Sequence, residues 1–246
     1  MPDPEDPTPL QILAFGDPDT GIWGLAVEGT LGIALTGGER REELTLRTAS
    51  RTREEGWRLS ADDVELSVSP LGETASPAPD LPAERVKICR VDGRAAAGGE
   101  AERIDCLGMR GEHPELGGAT GSWRAAYLWF SAEQAIALTA LRPRRASGHD
   151  RDALAATVLE GGSALISVDP RLSTTLDEDG APLRVGLELW IESEDGTIEF
   201  PRRASGTTIG PALTLRSGRL RVRGYPLRCH GRGRTGSGMY LLADPA

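Results

Sequence analysis

Residues 179–196 read DGAPLRVGLELWIESEDG, and between the two Asp-Gly pairs the apolar side chains recur at every second position. Val185, Leu187, Leu189 and Ile191 fall on one side of an extended chain, and Arg184, Gly186, Glu188 and Trp190 on the other. That period of two belongs to a strand and not to a helix. The Asp-Gly pairs suit tight turns, because glycine takes positive φ without a steric penalty. A strand with one apolar face and a turn at each end is the unit of an antiparallel sheet packed on one side.

The same unit recurs outward in both directions. Upstream, residues 10–15 and 21–27 are apolar runs separated by Gly16-Asp17-Pro18-Asp19, a turn in which proline fixes φ. Residues 30–35 continue the pattern up to Gly37-Gly38, and residues 43–47 and 63–69 alternate in period two. Residues 71–82 carry no core-forming pattern and read as a loop, and 85–91 alternates again before Asp92-Gly93, read as a hairpin turn. Residues 123–130 and 135–141 bracket a short connection at 131–134, and residues 213–216 and 219–223 form a second hairpin in which Leu213 and Leu215 face Leu220 and Val222. Strands at 225–230 and 236–242 close the chain. Residues 150–160 stay open between a helix capped by Asp150 and a strand. Many short strands with turn signals about every ten residues predict an all-β sandwich or barrel.

Composition narrows the function. A net charge of -9 works against nonspecific nucleic-acid binding, which needs clustered cations to displace counterions from phosphate. The basic stretches, Arg142 with Arg144 and Arg145 and Gly-Arg-Gly-Arg at 231–234, are short and read as solvated loop or strand-edge charge. No apolar run approaches the roughly 20 residues of a membrane helix. The opening MPDPEDPTPL has neither the basic nor the apolar region of a signal peptide, so a cytoplasmic protein is expected, with residues 1–9 as a disordered tail. Cys89, Cys106 and Cys229 lack CxxC spacing, and an odd number argues for reduced, buried thiols.

Cofactor and metal signatures are missing. There is no Gly-Lys-Ser/Thr, no GxGxxG opening a helix and no GxSxG elbow. The GRTGSG run at 233–238 reads as a turn into the last strand. His113, His149 and His230 are dispersed without HxH or HExxH spacing, so neither a metal nor a cofactor is expected.

Chemistry concentrates instead in 105–130, DCLGMRGEHPELGGATGSWRAAYLWF. Asp105, Arg110, Glu112, His113 and Glu115 put an imidazole near carboxylates and a guanidinium. In a site His113 and Glu112 would carry protons and Arg110 would stabilise charge, with Asp105 as a further acid; otherwise they are solvated loop charges. Trp123, Tyr127 and Trp129 share one face of a strand and are either core or the wall of an apolar pocket. Trp190, opposite the aliphatic face of its own strand, is a second wall candidate.

The order of LGMRGEH at 107–113, the tryptophan-rich strand 123–130, the long alternating strand with its Asp-Gly turn and GRTGSGMY at 233–240, with FGDPD at 15–19, resembles the hydroxyneurosporene synthase (carotenoid hydratase) superfamily of lipocalin-like proteins. The resemblance implies two lipocalin-like antiparallel β-barrel or sandwich domains side by side, here 10–115 and 116–246. It further implies an apolar ligand cavity near their junction and chemistry without redox cofactor or metal. An isoprenoid- or polyketide-like ligand is implied with it, and isomerisation, cyclisation or hydration as the reaction. The chain departs from the hydratases where they carry an aromatic residue two after the histidine and an acid on the next strand. Here those positions are Glu115 and Trp129. Alkene hydration needs an acid placed to protonate carbon, so hydration is the reaction this departure puts in doubt. A non-catalytic carrier of a hydrophobic ligand and a β-sandwich interaction module are the competing classes. A pocket lined only by apolar groups favours the carrier, and one holding titratable groups favours the enzyme.

Overall fold

In the computed structural model the described residues are 10–17, 21–27, 32–37, 40–45, 48–51, 56–61, 64–75, 85–96, 101–113, 120–145, 152–193, 195–198, 200–217 and 220–246. Nine strands come first: β1 (Leu10–Asp17), β2 (Ile22–Val27), β3 (Gly32–Gly37), β4 (Arg40–Thr45), β5 (Thr48–Arg51), β6 (Trp57–Ala61), β7 (Val64–Ala75), β8 (Val86–Ala95) and β9 (Glu102–His113). Nine more complete the chain: β10 (Thr120–Ser131), β11 (Gln134–Pro143), β12 (Ala153–Glu160), β13 (Ser163–Leu176), β14 (Pro182–Ile191), β15 (Arg202–Thr208), β16 (Leu213–Ser217), β17 (Leu220–Gly231) and β18 (Arg234–Pro245). Among the described residues no helix is long and apolar enough to cross a membrane. The all-β expectation holds.

The first nine strands make one antiparallel sheet, in the order β4-β3-β2-β1-β9-β8-β7-β6-β5. Among the described residues its two edge strands, β4 and β5, do not pair, and the sheet is a curled half-barrel. The second nine run β15-β14-β13-β12-β11-β10-β18-β17-β16, and β15 also pairs with β17. That pairing closes eight strands into a barrel and leaves β16 beyond the seam, leaning on β2 and β3 of the first sheet.

Alternation along each strand sorts the apolar side chains into three layers. Leu13, Phe15, Trp57, Leu59, Leu66, Val91 and Ile104 fill the concave side of the first sheet. Leu128, Leu138, Val158, Leu187, Leu189, Tyr225 and Tyr240 fill the barrel, to which Val185 and Ile191 of the 184–191 strand also contribute. The third layer lies between the sheets: Ile12, Trp23, Leu25, Ile88 and Met109 from the first meet Trp123, Tyr127, Trp129, Leu213, Leu215 and Met239 from the second.

Several local expectations change. Asp92-Gly93 is no turn: β8 runs through it, paired with β7 on one side and β9 on the other. Gly93 has φ +145, and a Cβ there would stand 2.0 Å from the Glu65 carbonyl oxygen, so glycine serves a close approach between strands. The loop read at 71–82 is strand in its first part, because β7 continues to Ala75, and its remainder lies outside the described residues. Residues 233–238 are mostly strand: the turn is Arg232-Gly233 and β18 starts at Arg234. Of residues 150–160, Ala153–Glu160 form the strand β12, with Leu154, Ala156 and Val158 on the barrel side, and Asp150 and Arg151 lie outside the described residues. The hairpin at 213–223 has Leu215 opposite Val222. The 1–9 tail, the 115/116 junction, His149 and Glu115 lie outside the described residues, as does part of the 43–47 alternation.

Candidate functional site

Strand β9 carries most of the residues that the sequence singles out, and its alternation divides them. It lies between β1 and β8, with Leu13 and Lys87 flanking Arg110 and Gln11 beside Glu112. Arg110 and Glu112 point to the concave side of the first sheet. There the Arg110 guanidinium lies 5.2 Å from the Trp57 ring, and Glu112 Oε1 accepts a hydrogen bond from Gln11 Nε2 at 3.1 Å. His113 and Asp105 point the other way, toward the barrel. Eight residues of strand put roughly 26 Å between those two. The four candidate proton-transfer residues therefore do not form one cluster.

His113 meets part of the aromatic strand instead. It is 1% exposed. Its ring stacks on Trp123 with centroids 4.1 Å apart and planes 8° from parallel, and its Nε2 is 2.5 Å from the Tyr127 hydroxyl. Trp123 and Tyr127 are both fully buried. The arrangement depends on Gly111, since a Cβ at that position would stand 1.7 Å from the Tyr127 hydroxyl oxygen. The buried pair joins the two sheets through one polar contact in an apolar layer, where hydrogen bonding offsets the cost of removing both groups from water.

Among the described residues, clefts open between the sheets beyond this layer, and two of them bring side chains of both sheets together. The narrower, about 410 Å³, is bordered by Leu71 and Ile88 of the first sheet and by Glu133, Leu159, Glu160 and the Gly161-Gly162 turn of the second. Glu160 is ion-paired there with Arg202 and Arg232. The wider cleft, about 780 Å³, has Gly16, Asp105 and Leu107 on one wall and Trp129, Phe130, Arg228, His230 and Thr235 on the other. Neither cleft is lined by His113, Trp123 or Tyr127. Trp129, which tilts against Trp23 at 6.5 Å, belongs both to the buried layer and to the wider cleft's wall.

Asp105 is held by Arg90, with Nε to Oδ1 at 2.9 Å and Nη2 to Oδ2 at 2.8 Å. That two-point hydrogen bond keeps the carboxyl below the usual carboxylate range. It is a charged acceptor rather than a proton donor. Trp190 lies on the outer face of the barrel, where the Arg171 guanidinium sits 5.9 Å from its ring, and it borders neither cleft.

The architecture is shared with solved proteins. A candidate ATTH protein (NE1406) from Nitrosomonas europaea superposes with a TM-score of 0.62 at 12% identity, over 97% of this chain and 93% of that one. CghA, in a crystal structure with Sch210972, gives 0.61 at 13% identity over 97% and 89%. Kievitone hydratase from Nectria haematococca gives 0.61 at 10% identity over 96% and 89%. This chain has their fold. No protein-family profile matches the sequence, and no curated protein does.

Sequence reasoning weighed His230 only as a metal ligand and passed over Arg228; both line the wider cleft. Their signal was present: within 225–230 the apolar Leu227 and Cys229 alternate with Arg228 and His230, so both polar groups share the face away from the barrel core. The pairing of β17 with β18 sets His230 opposite Thr235, whose hydroxyl lies 3.4 Å from His230 Nδ1. Among the described residues no group of three His, Cys, Asp or Glu side chains converges as metal ligands would.

Proposed function

We propose that the protein binds an apolar small molecule of isoprenoid or polyketide type in the wider cleft between its sheets and acts on it by proton transfer, as an isomerase, cyclase or hydratase. The observation that carries this reading is the convergence of Trp129 and Asp105 with His230 and Arg228 around a cleft of about 780 Å³. That volume falls in the range of roughly 300–1,000 Å³ usual for small-molecule sites. Trp129, Phe130 and Leu107 supply the apolar wall, and His230 supplies an imidazole able to give or take a proton. Asp105, kept ionised by Arg90, suits a hydrogen-bond acceptor or base. Protonation of a carbon would fall to His230, since the buried His113–Tyr127 pair borders neither cleft. Hydration, which begins with that step, is the least favoured of the three reactions. Arg110 and Glu112 have no part in this reading, because they lie on the far side of β9. One protein of this fold is solved with Sch210972 and another is named a hydratase, which supports a small-molecule ligand.

A carrier without turnover is the second reading. What favours it is the closure of His113 and Tyr127, which border neither cleft. One experiment separates the two. The purified protein is extracted with organic solvent, the co-purifying compound is identified by mass spectrometry, and that compound is returned to the protein in D2O. Deuterium appearing on carbon, and lost in His230→Ala, supports the enzyme. A bound compound recovered without deuterium supports the carrier, and extracts with no small molecule count against both.

A further inference from the structure

The charges around the wider cleft do not balance. On the first-sheet wall Asp105 is paired with Arg90 and lies 4.0 Å from Arg103. Asp92, opposite Asp105 in the register, adds its negative charge near Arg90. That wall is close to neutral. The barrel wall carries Arg228, whose guanidinium has no hydrogen bond or ion pair among the described residues, and two residues along the same face His230, whose Nδ1 lies 3.4 Å from the Thr235 hydroxyl. Several other arginines of the barrel are matched, Arg202 and Arg232 by Glu160, Arg203 by Glu188, and Arg221 and Arg223 by Asp244, while Arg184 and Arg234 have no ion pair among the described residues; what sets Arg228 apart from those two is that it lines the wider cleft. In a chain of net charge -9 this guanidinium lines a cleft of mixed character, together with the apolar Leu107, Trp129 and Phe130. It offers a planar set of donors matched to a carboxylate.

We propose that the ligand of the wider cleft is an amphiphilic acid whose carboxylate is held by Arg228, with His230 beside it, and whose apolar body lies against Trp129 and Leu107. This rests on the reading of that cleft as the ligand site, and it adds the chemical class of what the site selects. A neutral isoprenoid alcohol of the same shape makes the apolar contacts but leaves Arg228 unanswered. Asp105 does not repel the acid's head group strongly, because Arg90 already holds its two oxygens.

The test compares retinoic acid with retinol, two probes with one carbon skeleton, by quenching of tryptophan emission at low salt and mildly alkaline pH. The acid binds about tenfold more tightly than the alcohol, as a charge-assisted hydrogen bond implies. Arg228→Gln removes that preference, bringing retinoic acid down to the affinity of retinol; Arg228 is exposed, so the variant folds. Thr235→Trp, an exposed position on the same wall, blocks both probes. Equal affinity for acid and alcohol, or a preference that survives Arg228→Gln, overturns the acid-selecting proposal while the cleft remains the ligand site. Binding that survives Thr235→Trp, or no binding of either probe, overturns the cleft reading together with it.

Discussion

Tyr127 reaches His113 only because residue 111 has no side chain, and that dependence can be measured. In Gly111→Ala the new Cβ would meet the Tyr127 hydroxyl at 1.7 Å, so the ring must leave the imidazole or the sheets must part. Overpacking of this kind costs about 1–3 kcal/mol, read as a lower urea midpoint. Adding Tyr127→Phe removes the clashing oxygen but leaves the ring carbon at 2.7 Å, so relief is partial. The double variant is less destabilised than the sum of the singles, with a coupling of about 1 kcal/mol, and strict additivity would show that the two residues do not touch. The buried thiols make a second prediction. Burial pushes Cys89 from an ordinary value of 9.0 to about 11 and pushes Cys229 higher still. A thiol that ionises in the unfolded chain before it ionises in the folded one favours unfolding as pH rises. The native state is therefore undiminished below the ordinary thiol value and loses stability above it. For Cys89 the loss is about 2 kcal/mol by about pH 10.5. Cys89→Ala flattens the stability-against-pH curve by that amount relative to the parent. An unchanged slope would mean that the thiol is not sealed. In neutral buffer only Cys106, which is half-buried, reacts promptly with a disulfide reagent, and all three thiols react in denaturant.

A strand has two faces, and on β9 they separate residues that a short run of sequence presents as one site. Asp105, Arg110, Glu112 and His113 sit within nine residues, yet alternation sends Arg110 and Glu112 into the first sheet's concave core and the other two toward the barrel. Spacing alone carried that parity. What it did not carry was the partner of each face, because the neighbours of β9 are β1, about a hundred residues earlier, and β8. Arg110→Gln and Glu112→Gln consequently leave ligand binding in the wider cleft unchanged, whereas Leu107→Arg, two residues on from Asp105 and on the same barrel-facing side, abolishes it. Loss of binding in the first pair would mean that ligand enters the curled sheet instead. The strand β14 was legible because its pattern is local: Val185, Leu187, Leu189 and Ile191 alternate and its turns are Asp-Gly. The same dipeptide misled at 92–93, where glycine answers a contact made by another strand, Glu65 of β7, which no local pattern encodes. Gly93→Val should therefore lower stability by about 2–4 kcal/mol through strain and lost β7 to β8 pairing, seen by circular dichroism melting, although valine is the better strand former.

At the scale of the molecule the outer face of β10 decides the architecture. In a barrel standing alone, the side opposite the core meets water; here that side carries Trp123, Ala125, Tyr127 and Trp129 and all four are buried, because the curled sheet covers them. The question left open by the sequence, core or pocket wall, divides along the strand. Trp123 and Tyr127 belong to the seam and Trp129 stands where the seam opens into the cleft. Period two shows that these rings share a face, but which surface covers that face is set by packing between segments far apart in the chain. A seam this apolar also binds the halves thermodynamically. Leu213, Leu215, Val222, Met239 and Leu241 complete it from the barrel side, and Ile12, Trp23, Leu25 and Met109 from the other. Each large apolar side chain sealed there contributes about 1.5–3 kcal/mol that neither half keeps alone. The whole chain should accordingly unfold in one transition, with tryptophan emission and far-ultraviolet circular dichroism losing signal at the same urea concentration. A fragment of residues 120–246 should expose the aromatic stripe, bind a hydrophobic dye and aggregate, while charged replacements of Leu213 and Leu215 in the full chain should split the single transition in two. Two separated transitions in the unmodified chain, or a soluble fragment that binds no dye, would show that the seam is a contact between independent units, and the site between the sheets would then rest on a weaker hinge.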